Sequence, residues 1–372
     1  MNLRHVTPAF RTFCGDNALQ ALPRELARVG AGRAVILCGH SVAKQTDAMA
    51  RVHEALGERL VGQFEGVVAH SPLPVVEEAR RFLADHDADA VIAVGGGSAV
   101  VTARAATILL AERRHARELC TRRDAGRLVS PKLTAPKLPQ WVVPSTPTTA
   151  YAKAGTAVRD PETGERLALY DPKTRAQGVL LDPVMALTAP ARLAWSAALN
   201  AFSMAVEGLQ SRHVDLLADA QLAHALRTIA TWLPRLDEED PQPRLHLMLA
   251  ALMSGEGSDH TGGGLAQALS HAIGPRSSAA NGVVEALLLP HAMRFNADVV
   301  ADRLAALTEL LGDTDIERLL EVFTVPARLR DIDVSRQALA EAADHAMDDW
   351  AITAAPRVPD RHDVLELLDN AW

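Results

Sequence analysis

Short apolar runs alternate with stretches of helical period over the first half of the chain, and from about residue 183 onward the helical period stands almost alone. Leu19, Leu22, Leu26 and Val29 share one helical face, and Arg33 to Cys38 is a β-rich run that stops at Gly39. Residues 42–57 return to a helical pattern, residues 60–64 suit a short strand, and residues 74–86 an amphipathic helix. Residues 89–94 form an apolar strand closed by Gly95, Gly96, Gly97 and Ser98, with a helix predicted over 99–110. A basic segment, 113–137, precedes a strand at 140–143 and the hydroxyl-rich loop 144–151. Residues 156–158 and 167–170 pair as a hairpin around the turn 160–164, and 178–181 is a last strand before Asp182-Pro183. The helical remainder is interrupted by the acidic stretch 237–240, which a solvated loop explains, and by Gly262-Gly263-Gly264.

This order predicts an α/β domain over residues 1–182, a Rossmann-like, mostly parallel sheet that binds nucleotide, followed by an all-α-helical substrate domain over 183–372. A cleft between the two is the expected place for substrate. No internal repeat or low-complexity tract is present.

Composition narrows the possible partners. With 372 residues, 48% hydrophobic, the chain can bury a large core, and its net charge of −8 without a basic patch argues against nucleic acid. Three scattered cysteines, Cys14, Cys38 and Cys120, predict no disulfide and a reduced, cytoplasmic setting. The start, Met1-Asn2-Leu3-Arg4-His5, lacks the apolar core of a signal peptide, and no stretch is long and uncharged enough for a membrane span.

The sharpest chemical signal is the strand that ends in Gly95-Gly96-Gly97-Ser98 ahead of a helix. Glycines let the backbone approach a pyrophosphate, and the first helical N–H groups and the positive end of the helix dipole face the anion. An ordinary strand-to-helix turn explains an isolated glycine run about equally well.

Several stretches in order shift that balance: GGGSAVVTARA (95–105), VPSTPTTA (143–150), LLDPVMALTAPARL (180–193), LNAFSMAVEGL (199–209), GLAQALSHAIG (264–274) and NGVVEALLLPHAMRFN (281–296). Together they resemble the iron-containing, group III alcohol dehydrogenases over nearly the whole chain, and residues 64–72 resemble the maleylacetate reductase branch. The resemblance implies a dehydroquinate synthase-like architecture and hydride exchange between NAD or NADP and a small alcohol or carbonyl compound. It places the nucleotide at Gly39, Ser41, Gly95, Gly96, Gly97, Ser98, Thr146 and Thr149. In the family one Asp and three His hold a metal; the matching positions here are Asn200, Met204, Gln267 and Asn281, so all four are replaced. Neutral amides and a thioether are poor ligands for a hard or borderline divalent ion, and no metal is expected.

His271 matches a histidine that in the family lies near the nicotinamide and is associated with proton transfer, which makes it the candidate catalytic group. Asn200, Gln267 and Asn281 are candidate substrate contacts; for Asn200 and Met204 a polar capping contact and a core methionine are the blander alternatives. Lys153, Arg166 and Arg276 are candidates for a substrate carboxylate, with a surface ion pair as the alternative for each. His260 and His291 are weaker candidates. The family's Asp and Lys after the glycines stand here as Val101 and Arg104, and an Asp that favours NAD is replaced by Gly39, with His40, Ser41 and Lys44 nearby, so NADP is permitted.

The expectation is therefore a metal-independent NAD(P)-dependent dehydrogenase or reductase of a hydroxy or keto acid, acting on a small molecule or a peptide and assembled as a homodimer. One form is specialised metabolism of the daptide type, in which a peptide's C-terminal threonine is oxidised to a β-keto acid that loses carbon dioxide. The alternatives are a maleylacetate reductase-like catabolic enzyme and a nucleotide-binding pseudo-enzyme that serves as a partner or scaffold subunit.

Overall fold

The computed structural model describes residues 4–124, 127–312 and 314–372; the expectation at Met1 to Leu3 lies outside them. Ten strands are present among the described residues: β1 (Arg11–Cys14), β2 (Ala34–Cys38), β3 (Leu60–Phe64), β4 (Ala90–Gly95), β5 (Arg122–Asp124), β6 (Arg127–Val129), β7 (Gln140–Pro144), β8 (Gly155–Arg159), β9 (Arg166–Tyr170) and β10 (Gly178–Leu181). Six form one sheet in the order β1-β10-β7-β4-β2-β3, every pair parallel. β5 with β6, and β8 with β9, are separate antiparallel hairpins.

Strands β2, β4, β7 and β10 are buried along their whole length, which is why they appear as unbroken apolar runs. Alternate side chains serve the two faces: Ile36, Ile92, Trp141 and Leu180 pack with Leu22, Leu26, Val52 and Leu56. Val35, Val91, Val142 and Val179 join a core on the other face that runs on into the helical half.

From β2 the chain moves outward to β3, then returns to the other side of β2 as β4. The order of the sheet thus reverses between β2 and β4, and ligands of such sheets bind in the crevice beyond the carboxyl ends at that point. Gly39 follows β2, and Gly96 to Ser98 follow β4, so the topology brings both expected nucleotide segments to one crevice.

Three details depart from the sequence pattern. Residues 42–57 are two helices, His40–Ala43 and Thr46–Leu56, because the chain leaves helical geometry at Gln45. β1 carries almost no burial, so its pairing with β10 left no apolar period to detect. The basic segment holds the short helix Ala116–Leu119 as well as β5 and β6.

After β10 the main helices are Pro183–Ala186, Ala191–Gln210, Leu216–Trp232, Pro241–Thr261, Leu265–Ile273 and Asn281–Asn296, with shorter ones to the end. No helix among the described residues is long and apolar enough to cross a membrane. The three cysteines are free.

Arg104 ties the first half together. Fully buried, it donates to the carbonyls of Ala150 (2.8 Å), Gly155 (2.7 Å) and Thr174 (3.3 Å), so it is a structural clamp on the segment leading into β8. Arg104→Met strands three buried carbonyls, and a loss of about 3 kcal/mol or more is expected by equilibrium urea unfolding.

Candidate active site

The glycine turn is built as a cradle. Gly95 has φ of +131°, a conformation that side-chain-bearing residues rarely adopt, and a Cβ on Gly97 would lie 3.0 Å from Thr148 Oγ1. Gly96 caps the Gly97–Glu112 helix with no side-chain acceptor; the Ala99 N–H bonds the Gly96 carbonyl at 3.0 Å, and those of Gly97 and Ser98 are left for an anion. Thr146 stays close to this turn, its Oγ1 3.2 Å from where a Cβ on Gly96 would be. Ser98 is anchored from behind, its carbonyl accepting from Ser71 Oγ at 3.2 Å. His70 and Ser71 both have positive φ, two strained residues beside the cradle.

Gly39 and exposed Ser41 lie across the crevice, and Gly39 bridges to Gly66 just beyond β3. Beside them stands a carboxylate the sequence reading passed over. Glu65 Oε2 is 3.5 Å from His40 Nδ1, so an acid stands on the neighbouring segment although the Asp at the Gly39 position is gone.

Thr149 donates its hydroxyl to Met204 Sδ at 3.4 Å, which ties this expected nucleotide contact to a polar cluster among the helices. The same sulfur accepts from Gln267 Nε2 at 3.6 Å and has Lys153 Nζ at 4.0 Å. Asn200 sits mid-helix and donates Nδ2 to Glu285 Oε2, so it caps nothing. Met204 is the buried core residue of the bland alternative and also the acceptor at the centre of the cluster. Asn281 is nearby in the fold but turns its amide oxygen against Gly274. The cluster therefore joins Asn200, Met204, Gln267, Glu285, Thr149 and Lys153, with Asn281 at its margin.

Two carboxyls in apolar helical runs organise this region, and neither was singled out from sequence. Glu207 accepts from the backbone N–H groups of Ala266 (2.7 Å) and Gln267 (3.0 Å), capping the Leu265–Ile273 helix in place of its own N-cap, Gly264. Burial raises the Glu207 pKa from 4.5 to about 7 against the pull of those N–H groups. Burial and then the nearby Glu207 raise Glu285 well above the ordinary carboxylate range, and Glu285 Oε1 has no hydrogen-bond partner.

His271 is one helical turn beyond Gln267 on the same face. Its Nδ1 bonds Asp349 Oδ2 at 2.8 Å, which leaves Nε2 without a protein partner among the described residues. Burial and then Arg166 lower the imidazole's pKa below 6.5, with Asp349 opposing, so His271 is neutral at pH 7 and can accept a proton at Nε2. Asp349 comes from the far end of the chain and lines, with Thr121, Ala157, Arg166 and Trp350, a cavity of about 70 Å³. Burial of Lys153 lowers its pKa to about 8, with Asp259 and Glu285 opposing.

The other candidates lie elsewhere. Arg276 is paired with Glu341 at 2.9 Å, as its surface alternative supposed. His260 stacks on His5, and His291 lines a separate surface groove with Arg294 and Arg357.

Glu207 and Glu285 hold their protons more tightly folded than unfolded. The folded state therefore carries more protons between about pH 4.5 and 7, and the stability these groups contribute falls as pH rises through that window. Glu285→Gln keeps an acceptor for Asn200 and removes the charge; the decline of Tm between pH 5 and 8 is expected to flatten, and an unchanged slope would remove Glu285 from this account.

Comparison with known proteins gives the family and the fold. The family model "Iron-containing alcohol dehydrogenase" matches residues 8–183, and "Fe-containing alcohol dehydrogenase family, C-terminal" matches 195–372. Maleylacetate reductase 1 of Cupriavidus pinatubonensis is 27% identical, covering 97% of this chain and 95% of that protein. Lactaldehyde reductase of Escherichia coli K12 is 29% identical, covering 96% and 97%. The same fold occurs in the alcohol dehydrogenase of Oenococcus oeni, with a TM-score of 0.89 at 21% identity over 97% of this chain and 98% of that one. It occurs also in the maleylacetate reductase of Agrobacterium tumefaciens, with a TM-score of 0.81 at 22% identity over 100% and 98%. The two family models together span almost the whole chain, which belongs to the iron-containing alcohol dehydrogenase family of oxidoreductases.

Proposed function

We propose that this oxidoreductase is a metal-independent, NAD(P)-dependent dehydrogenase or reductase of a hydroxy or keto acid. The observation that carries the reading is the chemistry of the cluster around Met204. Its sulfur already accepts from Thr149 and Gln267, the Asn200 amide nitrogen is turned to Glu285, and the nearest cation is Lys153. A divalent ion needs converging lone pairs and anionic ligands, whereas here the sulfur is taken up by a hydroxyl and an N–H, an ammonium stands beside it, and the cluster's one carboxyl, Glu285, is pushed toward its neutral form by burial. The donor set does not fit a metal.

The cradle, in contrast, fits a dinucleotide: a glycine turn, an uncapped helix N-terminus and the switch point of a parallel sheet coincide. When bound there, the nicotinamide supplies or accepts hydride. Glu65 beside Gly39 favours a ribose that bears two hydroxyls over one with a 2′-phosphate, so NADH is expected to bind more tightly than NADPH. His271, oriented by Asp349, takes or returns the proton of the reacting hydroxyl at Nε2. Arg166, which lines the cavity beside Asp349, takes a substrate carboxylate in this reading.

A β-hydroxy or β-keto acid needs the least electrophilic help, which supports this substrate class. Its narrowest form is the C-terminal threonine of a peptide, as in daptide-type biosynthesis. Similarity to maleylacetate reductases favours, as a second reading, reduction of a dicarboxylic keto acid. A pseudo-enzyme is disfavoured by the intact cradle and the His271–Asp349 pair. The reading includes a cytoplasmic homodimer, for which exposed Val214, Leu216 and Leu217 offer an apolar face.

The test is titration of chelator-dialysed, metal-free protein with NADH and NADPH, followed by nicotinamide fluorescence and a screen of β-hydroxy and β-keto acids. Saturable binding with NADH preferred is expected, and Glu65→Gln is expected to narrow the preference. His271→Ala is expected to lower turnover by roughly 10²–10⁴-fold with nucleotide binding intact. Binding of neither nucleotide, or turnover that requires added zinc or iron, would sink the reading.

A further inference from the structure

Lys153 is a cation without a counter-ion of its own. It follows the turn Thr149–Ala152, and among the described residues no carboxylate comes within ion-pair distance of its Nζ, whose one side-chain neighbour at hydrogen-bonding range is Met204 Sδ at 4.0 Å. The charged groups around it are otherwise engaged. Asp259 pairs with Arg175, Arg104 is spent on three carbonyls, and Glu285 gives Oε2 to Asn200. In the same cluster Glu285 Oε1 has no partner, whereas the unpartnered Gln267 Oε1 is turned to Gly263. An ammonium without a counter-ion and an unpaired carboxyl oxygen are each unfavourable alone, and their coincidence points to a ligand that carries an anionic oxygen and a hydroxyl.

The two unpaired cations of the region differ in depth. Arg166 is exposed and lines the cavity with Trp350 and Asp349. Lys153 reaches inward to Met204, which is 3% exposed and also meets Gln267, the residue one helical turn before His271. A 3-hydroxy or 3-oxo acid has two oxygen functions separated by one carbon, and only the reacting one must approach His271.

We propose that Lys153 is the oxyanion-binding cation of this site, meeting the oxygen of the substrate's reacting carbon while Arg166 takes the carboxylate. The inference rests on the metal-independent reading above and names the group that supplies the positive charge. Lys153 keeps its protons and forms no bond; its charge stabilises the oxygen as that atom becomes more negative. The substrate class is a 3-hydroxy or 3-oxo acid, whose reacting oxygen is carried by the carbon β to the carboxyl group.

Malonate is a stable mimic, one carboxylate for Arg166 and the other standing for the developing oxyanion. It is titrated calorimetrically into chelator-dialysed wild type, Lys153→Met and Lys153→Arg at pH 7, with circular dichroism to verify folding. The expected result is wild-type binding, a loss of at least about tenfold in Lys153→Met, and affinity within about threefold of wild type in Lys153→Arg. Equal affinity in Lys153→Met, or no binding to the wild type up to about 10 mM, overturns the assignment. If chelated wild type binds malonate and Lys153→Met matches it, only this inference falls. If wild type binds malonate solely after zinc or iron is added, the metal-independent reading falls with it.

Discussion

The candidate active site depends on one capping interaction. Glu207, on the Ala191–Gln210 helix, accepts from the first N–H groups of the Leu265–Ile273 helix, the helix that carries Gln267 and His271. A helix beginning in glycines supplies no side-chain cap of its own, and a Cβ on Gly264 would fall 2.3 Å from the Glu207 carboxylate, so the glycine makes room for a cap brought from elsewhere. The carboxylate fixes both the start and the rotation of that helix, and with them the direction in which Gln267 and His271 face. Holding an acid in this buried place is costly, and its raised pKa is the measure of that cost.

A second constraint joins the nucleotide cradle to the polar cluster. The segment that follows β7 places Thr146 and Thr148 against Gly96 and Gly97, then gives Thr149 to Met204 and carries Lys153 to the same sulfur. It is held from the helical side by Tyr151, whose hydroxyl donates to the Met248 carbonyl at 2.6 Å, and from below by Arg104 and Arg175. One short stretch thus spans the glycine cradle and the polar cluster, and its lysine brings a positive charge up to the sulfur at the centre of that cluster.

Electrostatically the region is a balance of opposite groups at modest separations: Glu207 and Glu285 against Lys153 and Arg166, with His271 and Asp349 as a bonded pair. Burial pushes the acids up and the lysine down, so the charged form of each is disfavoured relative to water.

Much of the scaffold was legible in the sequence because its signals are local. The buried strands appear as apolar runs, the cradle as Gly95 to Ser98, and the β8–β9 hairpin as two short alternating stretches around a Pro-Gly turn. The exposed edge strand β1 has no such signature and emerges only through pairing with β10, more than 160 residues away in the chain. Family resemblance marked Asn200, Met204, Gln267 and His271, yet a position does not say which way a side chain turns: Thr149 went to the sulfur and Asn281 to Gly274. Glu207 and Glu285 look like ordinary helical acids, and Asp349 like one of two adjacent surface aspartates, until the fold buries them. Local sequence determined the elements and the nucleotide turn. Only tertiary structure decided which charges meet in the site, because their pairing spans dozens of residues and their protonation is set by burial that no single stretch encodes.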